Sequence, residues 1–210
     1  QFLDSVFSSS NYIIRSNGDK VQLNTETTIT SSTFTDIQSG DTLVLNAAVT
    51  IDDNAFGSNT INNNSLSVQF SSFLQKIGKN AFKKHRGLTN LDFSNCTSLH
   101  TIDEDAFRDC INLTNVNFSG CTSLDTINRG FYNCNLSSIN LEDTPLTVIK
   151  RDVFRNYNQS ISSIILPKQL LQLNYHSFYS TTTTLNELFL PPDISFNNLS
   201  RFPENALKKI

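Results

Sequence analysis

Residues 99–124 read LHTIDEDAFRDCINLTNVNFSGCTSL, and they close on Thr122-Ser123-Leu124, a copy of the Thr97-Ser98-Leu99 whose Leu opens them. Reduced to a pattern, the stretch is an apolar pair three apart (Leu99, Ile102), an Asp-Ala-Phe (Asp105 to Phe107), a Cys (Cys110), then Leu113, Val116 and Phe118. The same order recurs through most of the chain. A period of about 20 to 50 residues marks a solenoid, in which no unit can bury its apolar face alone and each does so against its neighbours.

Working outward, phenylalanines set the register: Phe56, Phe82, Phe107, Phe131, Phe154 and Phe178, with Leu207 read in the same role. Five residues before each anchor stands Ile51, Ile77, Ile102, Ile149, Leu173 or Phe202. Ile127 lies only four before Phe131, so that coil is one residue short and its turn is expected to be distorted. After each anchor comes a triplet of apolar positions: Leu88, Leu91, Phe93; Leu113, Val116, Phe118; Leu136, Ile139, Leu141; Ile161, Ile164, Leu166; and Leu185, Leu188, Leu190. The alternation that ends each triplet is the period of a strand with one buried face. Stacked copies make a parallel sheet, with coils rising about 5 Å each.

Two residues before the anchors stand Asn54, Asn80, Asp105, Asp152 and Asn205, with Arg129 and His176 departing from the pattern. Asn and Asp accept bonds from the free N–H groups that open a helix. The column therefore predicts helix N-caps, and a short helical turn at each anchor.

Residues 1–42 do not show the repeat. Tyr12 to Arg15 and Val21 to Leu23 flank Asn17-Gly18, a pattern for a tight hairpin, and short strand-like runs follow at Thr28 to Thr30 and Phe34 to Ile37. A stack of coils exposes apolar core at its ends, so this segment is read as a β-rich N-terminal cap. Residues 43–210 are then a solenoid of about seven coils, beginning with a partial coil from Leu43 to Phe56. A helix-like Glu204 to Lys209 caps the other end. The fold class is an α/β repeat solenoid: a stack with a parallel sheet and short helical turns.

The chain has 16 Lys plus Arg against 19 Asp plus Glu. Nothing here is basic enough to attract nucleic acid. No apolar run approaches the roughly 18 residues of a membrane span. Only 17% of residues are charged, and Asn, Ser and Thr supply the missing polarity. Such a surface bonds by hydrogen bonds rather than by ion pairs. The sequence starts at Gln1 and has no Met, as expected of a processed or excised chain.

The pattern Leu99-xx-Ile102-xxx-Ala106-Phe107-xx-Cys110-xx-Leu113-xx-Val116-x-Phe118, with the following Phe118-Ser119-Gly120-Cys121-Thr122-Ser123-Leu124, resembles the BspA-like leucine-rich repeats of bacterial and protist surface proteins. The resemblance covers about residues 43–210. It departs from the family pattern in two ways: only Leu166-Pro167 and Leu190-Pro191 keep a Pro after the strand, and only Cys110 and Cys134 keep the Cys after the anchor. It implies a curved leucine-rich-repeat solenoid, and adhesion or recognition at a cell surface.

The four cysteines fall as equivalent pairs, Cys96 with Cys121 and Cys110 with Cys134. Successive coils bring equivalent residues within disulfide reach. A ladder of buried free thiols is the favoured reading, since Cys is a common small core residue, and disulfides are the alternative. No CxxC spacing supports zinc. Asp103-Glu104-Asp105 faces Lys79 and Arg129 at related phases, which disfavours calcium. His85, His100 and His176 have no catalytic partner at a recurring spacing, and surface or cap positions are expected for them. Neither metal nor cofactor is expected.

Seven Asn-x-Ser/Thr sequons, at Asn63, Asn95, Asn112, Asn117, Asn135, Asn158 and Asn198, are about what the composition gives by chance. If the chain is secreted, glycosylation there would mask a face. The residue between the last two core positions of each strand points away from the core. This outward column reads Gln69, Asp92, Asn117, Asn140, Ile165, Phe189, turning from polar to apolar, and Tyr157, Tyr175 and Tyr179 lie in the same C-terminal third. Adjacent exposed apolar residues mark interfaces; packing under the chain's own C-terminal segment is the competing reading. Two functional expectations follow. The first is a non-catalytic extracellular module that binds protein or glycan on a host cell, matrix or partner cell. The second is a structural spacer within a longer surface protein.

Overall fold

The computed structural model describes residues 8–57, 65–156, 161–174 and 176–179, together with the backbone of strands at 187–190, 195–196 and 207–209. Strands β1 (Asn11–Ile14) and β2 (Lys20–Asn24) form an antiparallel hairpin. It turns at Gly18, whose φ of +92° a side chain would strain.

From there the chain winds into parallel coils. The strands are β3 (Thr28–Ile29), β4 (Asp41–Leu45), β5 (Thr50–Ile51), β6 (Leu66–Phe70), β7 (Lys76–Ile77) and β8 (Asn90–Asp92). Then come β9 (Thr101–Ile102), β10 (Asn115–Asn117), β11 (Thr126–Ile127), β12 (Ser138–Asn140), β13 (Val148–Ile149) and β14 (Ser163–Ile165). The last four are β15 (Gln172–Leu173), β16 (Glu187–Leu190), β17 (Ser195–Phe196) and β18 (Leu207–Lys209). Even-numbered strands from β4 onward stack as one wall and odd-numbered strands from β3 onward as a second. Both walls are parallel throughout, and the hairpin joins the first by the antiparallel pairing of β1 with β4.

Between the walls lies the expected core. Phe56, Phe82, Phe107, Phe131, Phe154 and Phe178 are buried and stack ring on ring, with centroids 4.8, 5.2, 5.1, 5.6 and 5.3 Å apart in turn. Phe70, Phe93 and Phe118 form a second stack, at 4.8 and 5.9 Å. Ile51, Ile77, Ile102, Ile127, Ile149 and Leu173 fill the floor of the second wall. Among the triplets, the described positions are buried, except that Val116 is only partly so. The coils approach so closely that a Cβ on Gly120 would lie 1.6 Å from the Ser94 carbonyl oxygen one coil back.

The expected helical turns are absent. Among the described residues no helix follows any anchor, and the class is a β-solenoid of stacked parallel coils. The reason lies in where the amides bond. A helix would turn them all back along its own axis, but here every second amide reaches the neighbouring coil, and those between close tight turns such as Ala81 N to Gly78 O and Lys83 N to Asn80 O. Asn54 N donates to Lys79 O, Phe56 N to Ala81 O, Asn80 N to Glu104 O, Phe82 N to Ala106 O and Lys84 N to Arg108 O. The supposed cap residues are instead left-handed, with φ of 59° at Asn54, 55° at Asn80, 59° at Asp105 and 61° at Asp152. Arg129 and His176 share that conformation at 48° and 63°. Asn and Asp tolerate this region better than other side chains, which accounts for the column. A second left-handed column stands two residues after the anchor, at Lys84, Asp109 and Asn133.

Three boundaries differ from expectation. The repeat enters the N-terminal segment: Ile29 pairs in register with Ile51, and Phe34, five residues on, is buried. Phe34 to Ile37 is loop rather than strand. At the other end Leu207 is not an anchor and Leu207 to Lys209 are strand rather than helix, while Glu204, Asn205 and Ala206 lie outside the described residues. Leu207 lies in β18, paired with Leu188, and Phe196 stands in register with Leu173; Phe202 lies outside the described residues. The one-residue deficit at Ile127 has a structural counterpart. Both walls break there, the first between β10 and β12 and the second between β11 and β13. Gly130 takes the place held by Ala55, Ala81 and Ala106 in other coils, and a Cβ on it would lie 2.8 Å from Ile102 Cγ2.

Candidate functional site: the outward face of the first wall

The outward column is in register across each part of the wall. Val44, Gln69, Asp92 and Asn117 are neighbours on β4, β6, β8 and β10, and Asn140, Ile165 and Phe189 on β12, β14 and β16. Gln69, Asp92, Asn117 and Asn140 are exposed, Ile165 is half-buried, and Val44 is buried at the N-terminal end of the row.

Three of the polar members have a local duty. Asp92 Oδ1 accepts from Ser94 N at 3.0 Å, Asn117 Oδ1 from Ser119 N at 3.0 Å and Asn140 Oδ1 from Glu142 N at 3.0 Å. Each side chain thereby closes an Asx turn that carries the chain off the strand. Asn117 Nδ2 also donates to Asp92 Oδ1 at 3.0 Å, tying adjacent coils. The apolar members obey the same logic in reverse. Two residues after Ile165 stands Pro167, and two after Phe189 stands Pro191. Proline has no N–H to offer, so an Asx side chain there would have nothing to accept. The switch from polar to apolar therefore follows the turn chemistry, and it leaves Ile165 and Phe189 without a turn-forming role.

Of the three tyrosines only Tyr179 is described, and it does not lie on this face. Tyr157 and Tyr175 lie outside the described residues. Tyr179 is half-buried at the anchor edge, 5.1 Å from the Arg155 guanidinium and 5.0 Å from the His176 ring. Sequence reasoning passed over that edge. Buried Asp105 takes a two-pronged bond from Arg129, Nε to Oδ1 at 2.7 Å and Nη2 to Oδ2 at 3.0 Å, and a further bond from Arg108 at 3.1 Å. Burial alone would raise its carboxyl, but the Arg129 and Arg108 bonds outweigh it and hold the pKa below the ordinary range. Glu104 pairs with Lys79 at 2.8 Å, and Tyr132 lies under Arg108, Arg129 and Arg155. The cations occupy the carboxylates that a metal would need.

All four cysteines are buried and free. Three thiols donate to a Phe carbonyl on the preceding coil: Cys110 to Phe82 O at 3.1 Å, Cys134 to Phe107 O at 3.0 Å and Cys121 to Phe93 O at 3.5 Å. Burial pushes the Cys96 and Cys121 thiols up to about 12. His85 corrects the expectation of a surface or cap position. It is fully buried three residues after Phe82, as Cys110 is after Phe107, and neither ring nitrogen has a hydrogen-bond partner. Burial lowers its pKa to about 4. His100 is exposed, and His176 lies 3.8 Å from Asp152.

Exposed apolar residues were the other omission. Phe73 is 64% exposed and Leu171 57%. Both sit beside a core leucine, Leu74 and Leu170, in the turns that leave the first wall, one residue out of core phase.

A family model described as BspA type leucine rich repeat region matches the chain in six copies, over residues 15–130 and 75–209. Among solved structures, the chain is similar to a leucine rich cell surface protein from Faecalibacterium prausnitzii A2-165, at 18% identity and a TM-score of 0.47. That match covers 90% of this chain and 48% of the other, so the chain spans about half the length of that solved protein. No curated protein matches the chain.

Proposed function

The chain belongs to the BspA-type leucine-rich-repeat family, and from that premise we propose that it is a non-catalytic recognition module displayed outside the cell. Its ligand is protein or glycan on a host cell, extracellular matrix or partner cell, and the first wall carries the contact. The observation that carries this reading is the pair Ile165 and Phe189. They are adjacent in register on the outward column, and Pro167 and Pro191 relieve both of turn duty. Two large apolar residues side by side in register, next to a hydrogen-bonding row in which only Asp92 is charged, fit the centre and rim of an interface. The matching family is a repeat family, and no enzyme family is indicated.

A second reading, a structural spacer in a longer surface protein, draws support from Asp92, Asn117 and Asn140, whose polar groups serve the turns. One experiment separates the two. The purified chain is applied to epithelial cells and a panel of matrix proteins beside the double variant Ile165→Asp/Phe189→Asp, with folding followed by circular dichroism. Saturable binding that a still-folded variant loses supports the recognition module. Absence of binding by the folded parent to every surface tested supports the spacer.

A further inference from the structure

The turn after β6 is two residues shorter than the turn after β8. Buried Phe70 and Leu74 bracket the first and stand four apart, whereas buried Phe93 and Leu99 bracket the second and stand six apart. With the brackets stacked coil on coil, the two extra residues stand proud of the shorter turn. The step between them is a cleft of about 510 Å³. Ser72 and Phe73 form one side, Ser94, Asn95 and Thr97 the other, and Asn46 joins from the coil before.

The chemistry of that lining is specific. Phe73 presents 64% of its surface to solvent. Around it every lining residue is uncharged, and all but Phe73 and Phe70 end in a hydroxyl or amide. Ser72, Asn95 and Thr97 are exposed, and among the described residues none of their side chains is engaged in an intramolecular hydrogen bond. An aromatic ring has a negative face that attracts polarised C–H groups. A pyranose offers such C–H groups on its flat face and hydroxyls around its rim. Ring and rim donors together thus match a sugar rather than an apolar peptide side chain, which would leave the hydroxyls and amides unpaired. The absence of charge excludes selection for sialylated, sulfated or phosphorylated groups. The volume lies within the roughly 300–1,000 Å³ of small-molecule sites.

We infer that this cleft is a saccharide subsite: it binds a neutral pyranose unit stacked on Phe73 and hydrogen-bonded by Ser72, Asn95 and Thr97. The site goes beyond the reading of the first wall and does not rest on Ile165 or Phe189. Asn95 heads a sequon, so the chain for the test is produced in a bacterial host that leaves it unmodified.

The test is an array of neutral and anionic glycans, followed by solution titration of whichever neutral oligosaccharide is retained. Binding should weaken at least tenfold in Phe73→Ala, persist in Phe73→Tyr and be unchanged in Leu23→Ala, an exposed apolar residue outside the cleft. Phe73 is too exposed for its truncation to unfold the coil, and circular dichroism confirms this in each sample. Four results would overturn the inference: retention of no neutral glycan, retention of anionic glycans only, undiminished binding by Phe73→Ala, or a protein ligand that depends on Phe73 with no saccharide bound.

Discussion

Replacing Phe107 by Ala opens the middle of the ring stack. Phe107 is fully buried, lies nearly parallel to Phe82 (5.2 Å, 6°) and Phe131 (5.1 Å, 10°), and meets the edge of Phe93 at 6.2 Å. Truncating a buried Phe costs about 3–5 kcal/mol in lost transfer energy and residual cavity. Each stacked pair is worth about 0.5–1.5 kcal/mol beyond its area. Both flanking pairs are lost at once, so the upper end applies, about 5 kcal/mol. In a solenoid each coil is stabilised only by its neighbours, and a domain's whole stability is about 5–15 kcal/mol. Urea unfolding followed by circular dichroism measures the loss directly. Phe107→Leu, which keeps most of the volume, should cost under about 2 kcal/mol. A loss below about 1 kcal/mol for Phe107→Ala would refute the ring stack as the core of the fold.

Three further outcomes are expected. Cys96 and Cys121, buried with thiols pushed up to about 12, should resist a thiol reagent at pH 8 in the native chain and react fully in denaturant; fast native labelling would contradict their burial. His85 is neutral when folded, with a pKa of about 4 against an ordinary 6.5. Between those values only the unfolded chain takes up the proton. Stability should therefore fall by about 3 kcal/mol as pH drops from 6.5 to 4. Denaturant titrations of His85→Cys, which restores the residue of its column, should show that slope removed; an unchanged slope would clear His85. Asp105→Ala leaves Arg129 with only Glu104 at 3.4 Å and Arg108 with only Asp109 at 3.3 Å, and the lost charge-assisted bonds should cost about 1–3 kcal/mol in thermal or chemical unfolding. Asp105→Asn keeps a residue suited to the left-handed backbone, so it should recover part of that loss; equal losses would deny the turn any share.

The period, the ring stack and the strand triplets were legible because apolar side chains at fixed spacing have one place to go. The anchor turn was not. Asn and Asp suit both a helix N-cap and a left-handed turn, and only the destination of the amides, here the next coil, separates the two. At the C-terminal end Leu207 fitted the anchor phase by spacing alone, and its pairing with Leu188 puts it in a strand instead. For His85 the signal was present: it stands three residues after an anchor, as Cys110 and Cys134 do. Its polarity hid that phase.

The outward column was found but its meaning changed. Its polar members were read as surface chemistry, whereas Asp92, Asn117 and Asn140 accept the amide two residues ahead. The prolines after Ile165 and Phe189 were visible in the sequence, and their consequence for the column needed the turn geometry. Phe73 escaped notice because the length of its turn matters only when compared with the next coil.

Saturation binding of two single variants to epithelial cells or to whichever matrix protein the parent binds tests the division of the outward face most directly. Asn140→Ala should lose stability, about 1 kcal/mol for its turn bond, and bind at parental affinity. Ile165→Asp should keep the fold and lose binding at least tenfold. The reverse pattern, with Asn140→Ala abolishing binding and Ile165→Asp leaving it intact, would contradict the account.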